Sequence, residues 1–245
     1  MASDPLHLED FTERAYGTAL AAATTRYRFE PFGTAATEPH VLWRHDVDAS
    51  MHRAVALAEI EAEHGVRSTW FLSLHSSFYN LLERETSDVA LRLAALGHWI
   101  GLHYDAGYYD DEAGLVERMA AERTLLESVV GVPVGAVSFH NPDRTGMDAV
   151  RDDVLAGMVN AYGRTLGDRY AYVSDSNGYW RFERLADVLE AGAEPRLHVL
   201  THPEWWVAEP MTPRERIQRA IDGRARRAGE RYDEALAAAG RLNAR

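Results

Sequence analysis

Six apolar runs, at 40–47, 67–74, 98–104, 134–140, 170–174 and 196–202, each have the length of one strand. Between them lie stretches of helical period near 50–64, 86–96, 111–130, 145–156 and 183–191. Strand–helix alternation of this kind predicts βαβ units and a largely parallel sheet. Right-handed crossovers would wind such a sheet into a barrel or a doubly wound layer. Past the last run, Thr212-Pro213-Arg214-Glu215 reads as a helix start: Thr at the N-cap, Pro at the first helical position, Glu where a capping box needs it. The helix is expected to run to about Ala239, where Gly240 can end it. No repeat, low-complexity segment or Pro/Gly/Ser linker divides the chain. Residues 1–210 are therefore expected to form one α/β domain, with 211–245 a helical extension packed on it or projecting from it.

Polar residues gather where these runs end. Val41-Leu42-Trp43 leads into Arg44-His45-Asp46-Val47-Asp48. Side chains on a strand alternate, so Asp46 and Asp48 leave on the same face. Two carboxylates side by side repel unless a proton, a cation or a metal sits between them. The third run ends in His103-Tyr104-Asp105, the fourth in Ser138-Phe139-His140-Asn141, the fifth in Ser174-Asp175 and the sixth in Thr201-His202. In a parallel α/β fold such ends converge on one rim, where active sites form. Imidazole and carboxylate donors suit zinc, whose catalytic sites usually keep three protein ligands plus water. One Asp would then hold metal and the other act as base, with a histidine across the site protonating the leaving amine. His103-x-Asp105 with a distant His140 or His202 also has the composition of a 2-His-1-carboxylate iron oxygenase, an arrangement expected on all-β barrels.

Composition narrows the picture. The chain has 245 residues and no cysteine, so disulfides and thiolate chemistry are excluded and any metal must take oxygen or imidazole donors. A formal net charge of −12 argues against nucleic acid as a partner. The arginines from Arg214 to Arg231 alternate with acids and read as a solvated helix face. Met1–Glu13 carries four acids and no apolar core of a signal peptide, and no run approaches the roughly 20 apolar residues of a membrane span. A soluble cytoplasmic protein, without a membrane partner and with a homo-oligomer left open, is the expectation.

His45-Asp46-Val47-Asp48, Gly97-His98-Trp99-Ile100-Gly101-Leu102-His103 and Leu200-Thr201-His202 resemble, in order, the motifs of the polysaccharide deacetylase (NodB-homology, carbohydrate esterase family 4) superfamily. The resemblance covers roughly residues 40–208. It implies a distorted (β/α)7-type barrel, here with an added C-terminal helix, and metal-dependent hydrolysis of an acetyl or related amide. It further implies that Asp46 is the base, Asp48 and His103 are metal ligands, and His202 is the acid. Ser138-Phe139-His140-Asn141-Pro142 would line the groove, and Asp175 with Trp180 would support the acid and shape the pocket.

Two departures stand out: Val47 separates the aspartates, and Gly107 stands where a second metal histidine belongs. His140 is the preferred substitute, with Asp105 as competitor. Tyr79, Asn141, Asp175, Trp180 and Trp205 are the candidate substrate contacts; for Trp205 and Trp206 a stacking wall and a hydrophobic plug are equally open. Zn²⁺ is the expected cofactor, with Co²⁺, Ni²⁺, Mn²⁺ or Fe²⁺ as alternatives. The expected substrate is a small N-acyl metabolite or amino sugar. The lost histidine also leaves open a member that binds without turnover.

Overall fold

The computed structural model describes residues 6–109 and 113–244. Its main elements in chain order are α1 (Glu13–Thr24), β1 (Arg28–Phe29), β2 (His40–Val47), α2 (Met51–Glu63), β3 (Thr69–Leu72), α3 (Arg84–Ala95), β4 (Trp99–Tyr104), α4 (Leu115–Val130) and β5 (Val134–Phe139). There follow α5 (Pro142–Thr145), β6 (Val154–Leu155), β7 (Met158–Asn160), α6 (Arg164–Arg169), β8 (Ala171–Ser174), α7 (Leu185–Ala191), β9 (Arg196–Thr201) and α8 (Pro213–Ala238). All six expected strands are present. Residues 111 and 112 of the helix expected over 111–130 lie outside the described residues.

The sheet runs β7-β5-β4-β3-β2-β9-β8, and these seven strands are parallel. Followed in space, they keep chain order around a barrel whose path stays open between β7 and β8. The β6 strand adds antiparallel to β7, and β1 pairs with the start of β2. This is the expected α/β architecture, a distorted seven-stranded barrel with helices outside.

Both faces of the sheet are buried, which explains why the strand runs are continuously apolar. All eight residues of β2 are buried. Val41, Trp43 and Val47 face the layer beneath the helices, together with Trp70, Leu102 and Val199. Leu42, Phe71 and Ala136 point the other way and, with Phe32 and Leu166, fill the barrel interior. Gly101 faces that interior. A Cβ there would stand 2.4 Å from the Phe71 ring, so the ring fills space that any side chain at 101 would claim.

The helix expected over 145–156 is not formed. Gly146, at φ 73°, ends α5, and the chain then makes the β6–β7 hairpin. Its turn residues Ala156 and Gly157 both have positive φ, the geometry of a tight two-residue hairpin that a helical period conceals. The first helix went unread, although Tyr16, Leu20 and Ala23 recur at helical spacing behind a Thr12 cap.

The C-terminal helix starts with the expected capping box of Thr212 and Glu215. Its arginines are not simply solvated. Arg224 and Arg231 hold Glu83, and Arg227 and Arg231 hold Glu85, which fastens α8 to the start of α3. No helix among the described residues is long and apolar enough to cross a membrane.

Candidate metal centre and active site

The site is built on the alternation of β2. Arg44 and Asp46 point into the barrel mouth. Val47 points outward into the core, and its carbonyl accepts the Tyr79 hydroxyl at 2.8 Å. Asp48 turns back to the mouth. One imidazole then spans both carboxylates: His103 Nε2 lies 2.9 Å from Asp48 Oδ1, and Nδ1 lies 3.7 Å from Asp46 Oδ2. Same-face placement of the two aspartates is thus observed.

His140 completes a trio, its Nδ1 3.3 Å from Asp48 Oδ1. Asp48, His103 and His140 are the described residues whose donor atoms converge closely enough to hold one metal ion. The polar chemistry fits such an ion. Ser138 Oγ donates to Asp46 Oδ1 at 3.3 Å and sits 2.7 Å from His103 Nδ1. With the hydroxyl proton spent on Asp46, Ser138 accepts from Nδ1–H, which leaves Nε2 as a bare lone pair. That lone pair and Asp48 Oδ1 face each other, buried, and neither has a hydrogen-bond partner. A cation between them would satisfy both. His140 Nε2 meets the Asn141 side-chain amide at 2.8 Å, so an Asn141 oxygen at that position would free Nδ1 for metal. Burial works against charge on Asp48; when His103 and the imidazoles around it are protonated, their charge and hydrogen bonds more than offset it and hold the carboxyl well below the usual range.

Opposite the trio, His202 is held from behind. Its Nδ1 bonds Asp175 at 2.6 Å, and its Nε2 lies 4.0 Å from Asp48 Oδ2. Burial alone would lower the imidazole, but the charge and hydrogen bond of Asp175, with Asp48, push it up to about 10. Asp175 also accepts from the His202 backbone N–H at 3.0 Å and from Trp206 Nε1 at 2.9 Å. Glu204, two residues on, is buried and pushed up by burial and by the charge of Asp48.

Other candidates stand elsewhere. Asp105 turns an oxygen onto Gly107 N at 2.9 Å, capping its own loop, and is not among the donors that converge with His103. Trp180 stacks on Phe11, and its indole donates to Asp10, away from the rim; the tryptophan bonded to Asp175 behind His202 is Trp206. Tyr79 is a clamp: its hydroxyl bridges Val47 O and Ser73 N, and no polar end is left for substrate. Asp175 is fully buried and its oxygens are taken up by His202 and Trp206, which leaves none at the mouth. Trp205 is 9% exposed and belongs to the core cluster, the plug alternative. Asn141 stays at the mouth beside His140. Arg44, 3.2 Å from Asp46 Oδ2 and bonded to the Tyr162 hydroxyl, steadies the Asp46 carboxylate from below. Ser138, expected as groove lining, instead bridges Asp46 and His103, and Trp206, expected as stacking wall or plug, bonds Asp175. Ser138 had a signal, since it shares the inward face with His140. His45, on the outward face, is turned away from the mouth and bonded to Glu61 at 2.9 Å.

No family model and no curated protein matches the chain. Solved structures do. The catalytic domain of a peptidoglycan N-acetylglucosamine deacetylase from Eubacterium rectale is 13% identical, with 81% of this chain and 91% of that chain covered and a TM-score of 0.47. A family 4 acetyl xylan esterase from Clostridium thermocellum, solved with cobalt, is 12% identical over 77% of this chain and 84% of that chain, at 0.45. A polysaccharide deacetylase from Bacillus cereus is 16% identical over 77% and 88%, at 0.43. These neighbours are of the group that the motifs resemble.

Proposed function

We propose that this protein is a metal-dependent deacylase that cleaves the amide of a small N-acyl compound, such as an N-acetylated amino sugar or metabolite. The observation that carries the reading is one rim holding four parts: the converging donors of Asp48, His103 and His140, the carboxylate of Asp46, the imidazolium of His202, and an unpartnered lone pair facing a carboxylate. A divalent ion held by those three donors would acidify water and polarise a carbonyl.

The chain's own residues do the rest. Arg44 and Ser138 fix the two oxygens of Asp46, which takes the proton of the attacking water as its oxygen bonds to the acyl carbon. His202, kept protonated at neutral pH, gives its Nε2 proton to the departing nitrogen as the C–N bond breaks. Asp175 keeps the imidazole in that orientation and stabilises its charge. The products are a carboxylic acid and a free amine.

The test is acid release by protein stripped of metal and reloaded with zinc or cobalt, over a panel of N-acetyl amino sugars and N-acyl metabolites. Metal-dependent release of acetate or another acid is expected. No release from any of them would overturn the reading.

A further inference from the structure

Behind the mouth, on the outward face of β2, lies a buried polar cluster. His45 is fully buried, its ring stacked on Trp70 with centroids 3.8 Å apart. Its Nδ1 lies 2.7 Å from the Thr201 hydroxyl, and its Nε2 lies 2.9 Å from Glu61 Oε1 and 3.1 Å from the Tyr16 hydroxyl. Glu61, near the end of α2, is as deeply buried. Its Oε1 accepts the Tyr16 hydroxyl and its Oε2 the Ser68 hydroxyl, each at 2.6 Å. Both oxygens are therefore committed, and the carboxylate is held from α1, from α2 and from the residue before β3. Such a network is directional in a way that apolar packing is not, and removing one member leaves the others buried and unpaired.

The place of this cluster in the chain gives it a consequence at the mouth. His45 and Thr201 form the last pair of the β2–β9 ladder. The next residue on one strand is Asp46 and on the other His202. The Thr201 hydroxyl also donates to Arg44 O at 3.1 Å, so one side chain ties β9 to two successive residues of β2. Thr201 and His45 point outward while Asp46 and His202 point inward. The cluster thus grips both strand ends from the far side of the sheet.

We propose that Glu61, His45 and Thr201 are positioning residues for the hydrolysis: Glu61 anchors the His45 ring, the ring holds Thr201, and this clamp sets the spacing of Asp46 and His202 across the mouth. The proposal rests on the hydrolytic reading above, and its test has one arm that needs turnover and one that does not. A spacing error acts on the step that uses base and acid together, and a displacement of about 1 Å can cost about 100-fold. Thr201→Val, which keeps the shape and removes the hydroxyl, should lower kcat about 10–100-fold, with KM and zinc affinity within about twofold of the parent. Thr201→Ser, which restores the hydroxyl, should recover most of that loss. Glu61→Gln, remote from the mouth, should act on kcat in the same sense as Thr201→Val. Leu126→Ala, a core change on α4, is the control: it should lower Tm and leave kcat within about twofold.

The second arm is amide hydrogen exchange at a temperature where every variant is folded. In Thr201→Val the amides of Asp46, Val47 and His202 should exchange about tenfold faster, while those of Val41 to Trp43 keep the parent rate. That local rise in a protein without turnover on any N-acyl compound would sink the hydrolytic reading and leave the clamp standing. Unchanged exchange at the two strand ends would overturn the proposal. So would a kcat loss in Thr201→Ser or Leu126→Ala as large as in Thr201→Val.

Discussion

Replacing His140 by Ala is the sharpest probe of the metal centre. The ring is 31% exposed and sits past the end of β5, so it fills no core space and its loss should read on the ion and not on the fold. Groups that act on a metal only through a ligand cost about 10–100-fold in affinity when removed. A direct donor should cost at least the upper value, about 100-fold or about 2.8 kcal/mol. Ser138→Ala removes the acceptor at 2.7 Å from His103 Nδ1 and should fall within that outer range, about 10–100-fold. Asp105→Ala, whose oxygen is committed to Gly107 N, should stay within about twofold. Competition between protein and a chelating dye for zinc, with cobalt absorption as a check on geometry, measures all three. The reasoning is refuted if Asp105→Ala loses as much affinity as His140→Ala, or if His140→Ala binds within tenfold of the unaltered protein.

Further outcomes follow from the same geometry. Asp46→Asn should remove turnover while metal content by elemental analysis stays near that of the parent, because Asp46 faces the base position and not the donor trio. Gly101→Ala drives a methyl into Phe71 and should cost about 1–3 kcal/mol, read by denaturant unfolding, with Phe71→Leu restoring part of the loss. Acid should loosen α8. Hydrogen bonds from Arg224 and Arg231 hold Glu83 at about 2, against 4.5 for a free Glu, so its stabilising contribution is whole above 4.5 and lost as pH falls through about 2. Across that window the Tm gap between parent and Glu83→Gln should close.

What the sequence revealed and what it hid have physical causes. The β2 rim was legible because period two is rigid: once Val41-Leu42-Trp43 is a strand, Asp46 and Asp48 must share a face. His103 and His202 were legible for the same reason, one lying just inside the end of its apolar run and the other at the end. The 145–156 segment misled because Ala156 adopts positive φ, which its side chain does not advertise. Trp180 and Trp206 exchanged roles because both stand in loops, where no period dictates direction. Tyr79 looked like a contact at the mouth, but its hydroxyl is consumed by two backbone groups that only tertiary structure brings together.

The three donors stand on unequal ground. Asp48 is tied by Val47 in the core and by the Ser76 hydroxyl on its own carbonyl, and His103 lies inside β4, so both move only when the barrel itself opens. His140 follows its strand into a loop, next to Asn141 at φ 45°. Ion exchange would therefore have a hinge side: His140 lets go first and the two strand-borne donors last. The rate of metal loss would follow the motion of one short loop, although all three donors set the equilibrium affinity.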